Sequence, residues 1–203
     1  MVIALTAPGE IQLWLKLLVT VCVCAILVIN VKQYGPGNLL WFSDVGLITT
    51  ALALWFESSL LASMTALSVV LLDVVWNFGF FFRLLTGVSA TSLTAYMFDK
   101  KIPLPLRAIS LFHIPSPILL LWMIHRLGYD SRALLAQTAL AWVVLPLTYL
   151  LTDPAGENFN WVHGFGEKPE KRMPPLLHLL LLMIGLPLVV YLPTHLLLKW
   201  IFS

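Results

Sequence analysis

Apolar residues run through this chain in six long stretches separated by short polar connections, a rhythm that predicts a bundle of membrane-crossing helices. A helix needs about 20 mainly apolar residues to cross the hydrocarbon core of a bilayer. The stretches that suit are Ile11–Val31, Leu39–Phe56, Leu60–Phe82, Leu104–Arg126, Ala133–Leu151 and Pro174–Ile201. The last is longer than a crossing needs, so it is expected to tilt, or to bend where Pro187 and Pro193 interrupt the helical ladder. Gly35-Pro36-Gly37 marks the first connection. Glu57-Ser58-Ser59 marks a very tight second one, with serine available as an N-cap.

One region breaks the rhythm. Phe81–Phe98 carries Arg83, Thr86, Gly87, Ser89, Thr91, Ser92 and Thr94, which is polar for a helix facing lipid. It reads as a re-entrant or interfacial segment buried against protein. The longest polar connection, Asp153 to Met173, holds Asn158-Phe159-Asn160-Trp161 and then a charged patch from Glu167 to Arg172. No internal repeat is clear enough to argue for a repeat-built transporter.

Composition hardens the class. Of 203 residues, 60% are hydrophobic and 11% charged, and mean hydropathy is +0.91, whereas soluble domains carry about 25% charged residues. Too little polar surface remains to cover a water-soluble particle. The expectation is a single all-α integral membrane domain over residues 1–203, a polytopic bundle of six spans with a possible seventh segment. The net charge of +2 is scattered rather than gathered in a stripe, so nucleic acid is not an expected partner. Membrane lipid is. Cys22 and Cys24, at i and i+2 on one helix, point in different directions and cannot bridge, and neither a disulfide framework nor a zinc site is readable. The first apolar stretch is too long for a signal-peptide core and no small-residue cleavage site follows it, so it is expected to be a retained span.

Six spans place Lys32, Arg83, Lys100, Lys101, Arg107, Lys168, Lys171 and Arg172 on one side, and Lys16, Arg126, Arg132 and Lys199 on the other. Eight bases against four favour cytoplasmic odd-numbered connections, with both termini outside. A seventh span through Phe81–Phe98 makes the split seven against five, which orients nothing.

Against this apolar background Asp44, Asp73 and His113 stand out, each inside a stretch long enough to cross. An ionisable side chain at the centre of a bilayer costs about 2.5–3.5 kcal/mol on insertion scales and marks a functional site by default. With six spans, Ser43 and Asp44 open the second span on the odd-connection side, and Asp73 and Asn77 fall in the nearer half of the third. His113 lies about 13 Å into the fourth from that same side, at 1.5 Å per residue. The five residues therefore share one depth. Asp73 and Asn77, at i and i+4, share a helix face, as do Ser110 and His113. Pro115 and Pro117 should kink the fourth span and free carbonyls that need partners.

A hydroxyl becomes a nucleophile when an imidazole takes its proton, and a carboxylate can orient that imidazole. Ser43, His113, and Asp44 or Asp73 supply those residue types, and a substrate carrying an acyl chain could enter from the bilayer. Simpler roles exist for each. Serine in a membrane helix commonly bonds only the carbonyl of its preceding turn, buried Asp44 and Asp73 can be protonated structural groups, and His113 can merely bond Ser110 or Asp73. Arg83 has Asp73 or the interface as its expected destination. His178 and His195 read as packing residues, and no pair of histidines has metal-ligand spacing on one helix face. His163, with Asn158, Asn160 and Trp161, is placed to cap the cluster from the aqueous side.

At these residues the chain resembles the YwaF-like family of bacterial integral membrane proteins, itself similar to the androgen-induced-gene type of membrane hydrolases and their six-span acyltransferase cousins. The pattern is a Cys-Asp type pair in an early helix, a His at the start of a middle helix, an Asn-rich aromatic motif near the last helix, and a Lys-Pro pair. Ser43-Asp44, His113 within Ser110-Leu111-Phe112-His113, Asn158-Phe159-Asn160-Trp161 and Lys168-Pro169 stand in the comparable places in order. Ser43 replaces the family's usual Cys. The resemblance covers most of the chain from Tyr34 onward and implies a bacterial inner-membrane protein with no cofactor or metal. It implies a hydrolase or acyltransferase acting on a lipid-like ester, with Ser43 as nucleophile, His113 as base, Asp44 or Asp73 behind it, and Asn77, Asn158, Asn160 and Trp161 beside the substrate. The rival expectations are a small proton-coupled transporter, with Asp44, Asp73 and His113 as its relay, and a non-catalytic membrane subunit.

Overall fold

The computed structural model describes residues 11–153, 157–166 and 173–202, and every regular element among them is helical. Helix α1 is Leu13–Tyr34, α2 Phe42–Phe56, α3 Ser59–Thr86, α4 Leu104–Ile109, α5 Pro115–Leu127, α6 Ala133–Leu151, α7 Pro175–Gly185 and α8 Leu192–Phe202. A 3-10 turn over Ser110–His113 joins α4 to α5, and a π-helical segment over Leu186–Tyr191 joins α7 to α8. Five stretches are long and apolar enough to cross a membrane: Leu13–Tyr34, Ser59–Thr86, Leu104–Leu127, Ala133–Leu151 and Pro175–Phe202. Phe42–Phe56 is a sixth, shorter apolar helix.

The bundle is apolar on its outside as well as within. Leu85 of α3, Leu135, Leu150 and Leu151 of α6 and Trp200 of α8 project with most of their surface open, the arrangement of a protein solvated by lipid rather than by water. This is an integral membrane helical bundle. Helix α3 runs through its middle, packed on α2, α5, α6 and α8, while α1 lies at the edge on α2. The core around α3 is built from Leu54, Leu67, Leu120, Met123, Ile124 and Leu198, each almost fully buried.

Apolar contact does not drive helices together in lipid, so small residues and hydroxyls do much of the joining. A Cβ on Gly46 would lie 2.8 Å from Val69 Cγ2, so the backbones of α2 and α3 approach only because that position is glycine. Beside it the Thr65 hydroxyl donates to Thr49 Oγ1 across 2.8 Å. The connection between these helices is as short as its sequence implies. Glu57 takes the left-handed conformation (φ 48°) and Ser58 Oγ accepts from the Leu61 amide. Lys16 Nζ and the Ile11 amide both donate to Glu57 Oε1, at 2.7 and 3.0 Å. Those two donors, Lys16 first, hold the Glu57 carboxyl below its ordinary range.

Two boundaries differ from the pattern of apolar residues. Pro36–Leu40 forms a 3-10 turn, so α2 starts at Phe42 rather than Leu39. Its 15 residues rise only about 22 Å, against about 30 Å of hydrocarbon. Were Glu57 at one polar boundary, the Phe42 end would stop about 8 Å short of the other, the difference of those lengths. Helix α3 has 28 residues and overshoots the core, running past Phe82 until Gly87 (φ 73°) turns the chain.

Phe81–Phe98 is therefore not a seventh crossing. Its first residues finish α3, and Ser92–Phe98 is a 3-10 segment lying back on that helix. Gly79 permits this, since a Cβ there would sit 2.5 Å from Thr91 Oγ1. Replacing Gly46 with valine should destabilise the protein by about 1–3 kcal/mol through overpacking against Val69. Thermal unfolding in detergent measures it, and an unchanged midpoint would contradict the close approach.

Candidate functional site

Two prolines build the site. Proline has no N–H, so Pro115 and Pro117 deprive the carbonyls of Leu111 and His113 of their usual helical donors four residues on. The chain answers by tightening to a 3-10 turn, in which the Ile114 amide donates to Leu111 O at 3.0 Å. The His113 carbonyl is met from another helix: Asn77 Nδ2 donates to it across 2.7 Å, and also to Asp73 O at 2.8 Å. Asn77 thus clamps the backbone of His113 to α3.

One turn earlier on α3, Asp73 takes the side chain. Asp73 Oδ1 lies 2.7 Å from His113 Nδ1, and a carboxylate oxygen accepts, so Nδ1 carries the proton; in the neutral form of that ring Nε2 presents a lone pair. The Asp73 side chain is 5% exposed and that of His113 16%; Nε2 has no partner among the described residues. The Trp76 ring stacks on the imidazole at 4.9 Å and Phe112 packs at 4.1 Å, holding its plane. Trp76 Nε1 donates in turn to the Tyr96 hydroxyl of the 3-10 segment at 3.2 Å.

Asp44 is satisfied differently. Asn30 Nδ2 of α1 donates to its Oδ1 at 3.0 Å, and Asn38 Nδ2 of the Pro36–Leu40 turn to its Oδ2 at 2.6 Å. Both carboxylate oxygens are occupied by amides, and the side chain is buried. Of the two carboxylates proposed to orient His113, Asp73 makes the bond. Ser43, half-buried in the first turn of α2, has no hydrogen bond to His113 in this structure.

Residues 157–166 pack on the start of α2, the Pro36–Leu40 turn and α6. Asn160 spans the seam: its Oδ1 accepts from the Phe42 amide at 2.9 Å, and its Nδ2 donates to Leu40 O at 2.6 Å and to Thr148 Oγ1 at 3.2 Å. It thereby caps the start of α2 next to Ser43. Asn160 and Trp161 are both left-handed (φ 50° and 55°), uncommon for asparagine and strained for tryptophan. His178 Nε2 donates to Trp161 O at 2.9 Å and helps to hold that turn. Asn158 donates to the Gly164 and Gly166 carbonyls and accepts from the His163 amide. The amides of Asn158 and Asn160 are spent on backbone, so both residues shape the cover rather than offering free groups to a substrate.

Other expected participants lie elsewhere. His163 packs its ring on Tyr149 at 4.8 Å, and burial holds its imidazole below the usual histidine range. Arg83 reaches neither Asp73 nor an acid; its guanidinium sits 4.5 Å over the Phe98 ring. His195 is more than packing, since its Nδ1 lies 2.7 Å from the Tyr129 hydroxyl on the far side of the bundle. Burial, then Asp130, pushes Tyr129 up to about 12, so the phenol stays protonated, and the imidazole tautomer sets which of the two donates. Among the described residues no group of three metal-ligating side chains converges. Lys168-Pro169 and the patch from Glu167 to Arg172 lie outside the described residues.

Asn30, Asn38, Trp76 and Tyr96 belong to the cluster without having been singled out in the sequence. Asn30 had a signal, an amide near the end of an otherwise apolar helix; the others did not. No family model, curated protein or solved structure matches this chain, so the site stands on its own geometry. Asn160→Ala should cost about 1–3 kcal/mol, because the Phe42 amide and Leu40 carbonyl lose their partner in a buried place. Denaturant unfolding in micelles checks this, and Asn160→Gly, which relieves the left-handed backbone, should recover only part of the loss.

Proposed function

We propose that this protein is a membrane-embedded hydrolase or acyltransferase acting on a lipid-like ester. The observation that carries the reading is the 2.7 Å bond from His113 Nδ1 to Asp73, which leaves Nε2 as the basic nitrogen of an oriented imidazole. Asp73 fixes the tautomer and stabilises the imidazolium that forms, the division of labour of a catalytic triad. Ser43 is the nucleophile. His113 Nε2 takes the Ser43 proton as Oγ attacks the ester carbonyl, and returns it to the departing alcohol as the acyl-serine forms. Water, or a second alcohol in the transferase case, gives its proton to the same nitrogen and releases the acyl group. Catalytic hydrogen bonds can form or tighten only once substrate is bound, and the mechanism requires Ser43 and His113 to meet in that state.

The shortness of α2 supports a substrate whose acyl chains stay in the bilayer while its ester reaches His113. The protein is proposed to lie in a bacterial inner membrane, with the start of α2 toward the cytoplasmic face where the excess of bases falls. Labelling by a lipophilic fluorophosphonate is the test. Ser43→Ala and His113→Ala should each abolish labelling, and Asp73→Asn should slow it by up to about 10^4-fold through the wrong tautomer. Equal labelling of wild type and all three variants removes the enzyme reading.

One observation favours a second reading, a proton-coupled carrier. Asp73 on α3 bonds the imidazole of His113, and Asp44 on α2 is a second buried carboxyl in the bundle, the kinds of group a relay requires. It predicts pH-driven flux in liposomes that Asp44→Asn abolishes. Absence of flux beside retained labelling decides for the enzyme.

A further inference from the structure

His113 has a third neighbour on α3 to which the proposed chemistry gives no task. Asp73, Trp76, Asn77 and Phe80 stand at i, i+3, i+4 and i+7, along one face of that helix. Asp73 bonds the imidazole, and Asn77 bonds the His113 carbonyl. Trp76 lays its ring against the imidazole, with centroids 4.9 Å apart and planes 30° apart. Phe80 stacks on Trp76 in turn, at 5.2 Å and 16°. Trp76 is buried, so its indole N–H needs a partner inside the protein.

That partner comes from the chain that returns over α3. Trp76 Nε1 donates to the Tyr96 hydroxyl at 3.2 Å. Tyr96 belongs to Ser92–Phe98, a segment held from several sides. Thr91, just before it, packs against Gly79, where a Cβ would lie 2.5 Å from the threonine hydroxyl. Phe98 packs on Phe80 at 5.7 Å, and Arg107 Nη1 donates to Met97 O at 2.7 Å. Ser110, the other hydrogen-bonding neighbour of the phenol, opens the 3-10 turn that His113 closes. The Tyr96 hydroxyl therefore ties the indole to the turn that carries the imidazole.

A large apolar side chain would fill the same space with no N–H to satisfy. An indole offers something more to a group that gains a proton. Its face is negative and attracts a cation within about 6 Å of its centre, more strongly than the ring of Tyr or Phe, and most where water is absent. His113 becomes such a cation whenever Nε2 takes a proton. Asp73 then meets the imidazolium at its edge, and Trp76 meets it at its face.

We infer that Trp76 is a positioning residue for His113, its indole face stabilising the imidazolium, and that the Tyr96 hydroxyl holds that face in place. Its value to turnover rests on the reading of His113 as a general base. Full-length protein carrying isotope-labelled histidine is followed by NMR in detergent micelles, the His113 signals being those missing from His113→Ala. In wild type the indole face should displace the His113 ring protons upfield, and Tyr96→Phe should lose most of that displacement. At the pH where half of wild-type His113 is charged, the ratio of imidazolium to imidazole should fall about ten-fold in Trp76→Leu. In Trp76→Phe, which keeps an aromatic face, it should fall only about three-fold. Undisplaced ring protons in wild type, a displacement unchanged in Tyr96→Phe, or an unchanged ratio in Trp76→Leu overturns the inference. The first two measurements decide even if Trp76→Leu does not fold. Fluorophosphonate labelling that slows in Trp76→Leu as the imidazolium is lost supports the positioning role and the general base together. No labelling by any form, beside the expected spectra, keeps the role of Trp76 and removes the base.

Discussion

A carboxylate carried into an apolar bundle must be met by donors, and the arrangement of this protein follows from meeting two of them. Asp44 draws Asn30 from α1 and Asn38 from the following turn onto the start of α2. Asp73 draws His113, forty residues away in the chain, onto the middle of α3. Removing one partner of such a buried pair typically costs about 3–5 kcal/mol, a large share of the stability of a small domain. The same bonds that hold the helices together therefore present the chemically interesting groups at one level.

Proline supplies the complementary constraint. Each proline inside a helix strands a carbonyl four residues earlier, and in two places a side chain from a neighbouring helix takes up the slack. Asn77 meets the His113 carbonyl opposite Pro117. Trp142 Nε1 meets the Met183 carbonyl opposite Pro187, at 2.9 Å, where the chain widens into its π-helical segment. In the first case the repair falls beside an imidazole and fixes its backbone, so a folding necessity doubles as preorganisation of the site.

Depth is the third element. Helix α2 is shorter than a bilayer crossing, with Glu57 held by Lys16 at one end and Asn160 capping Phe42 at the other. Ser43 and Asp44, in the first turn of that helix, consequently lie beside the Asn160 cap. Among such buried groups electrostatic contacts gain strength from low dielectric.

Much of the architecture was legible in the order of residues, because lipid makes an unforgiving test of composition. Runs of apolar residues of crossing length can be little but helices, and the six expected stretches match the helices to within a few residues, the main departures being the later start of α2 and the longer end of α3. The gathering of Asp73, Asn77 and His113 was also legible, since alternating span direction and 1.5 Å per residue give depth without any knowledge of packing. Partnership within that level was not. Whether Asp44 or Asp73 would reach the imidazole, that Asn158 and Asn160 would spend their amides on backbone, and that Arg83 would turn to Phe98 all depend on how the helices rotate about their axes. Sequence sets each residue's height in the membrane through hydrophobic length. Only the packed bundle sets its bearing, because rotation is decided by side-chain fit between helices that the chain keeps far apart.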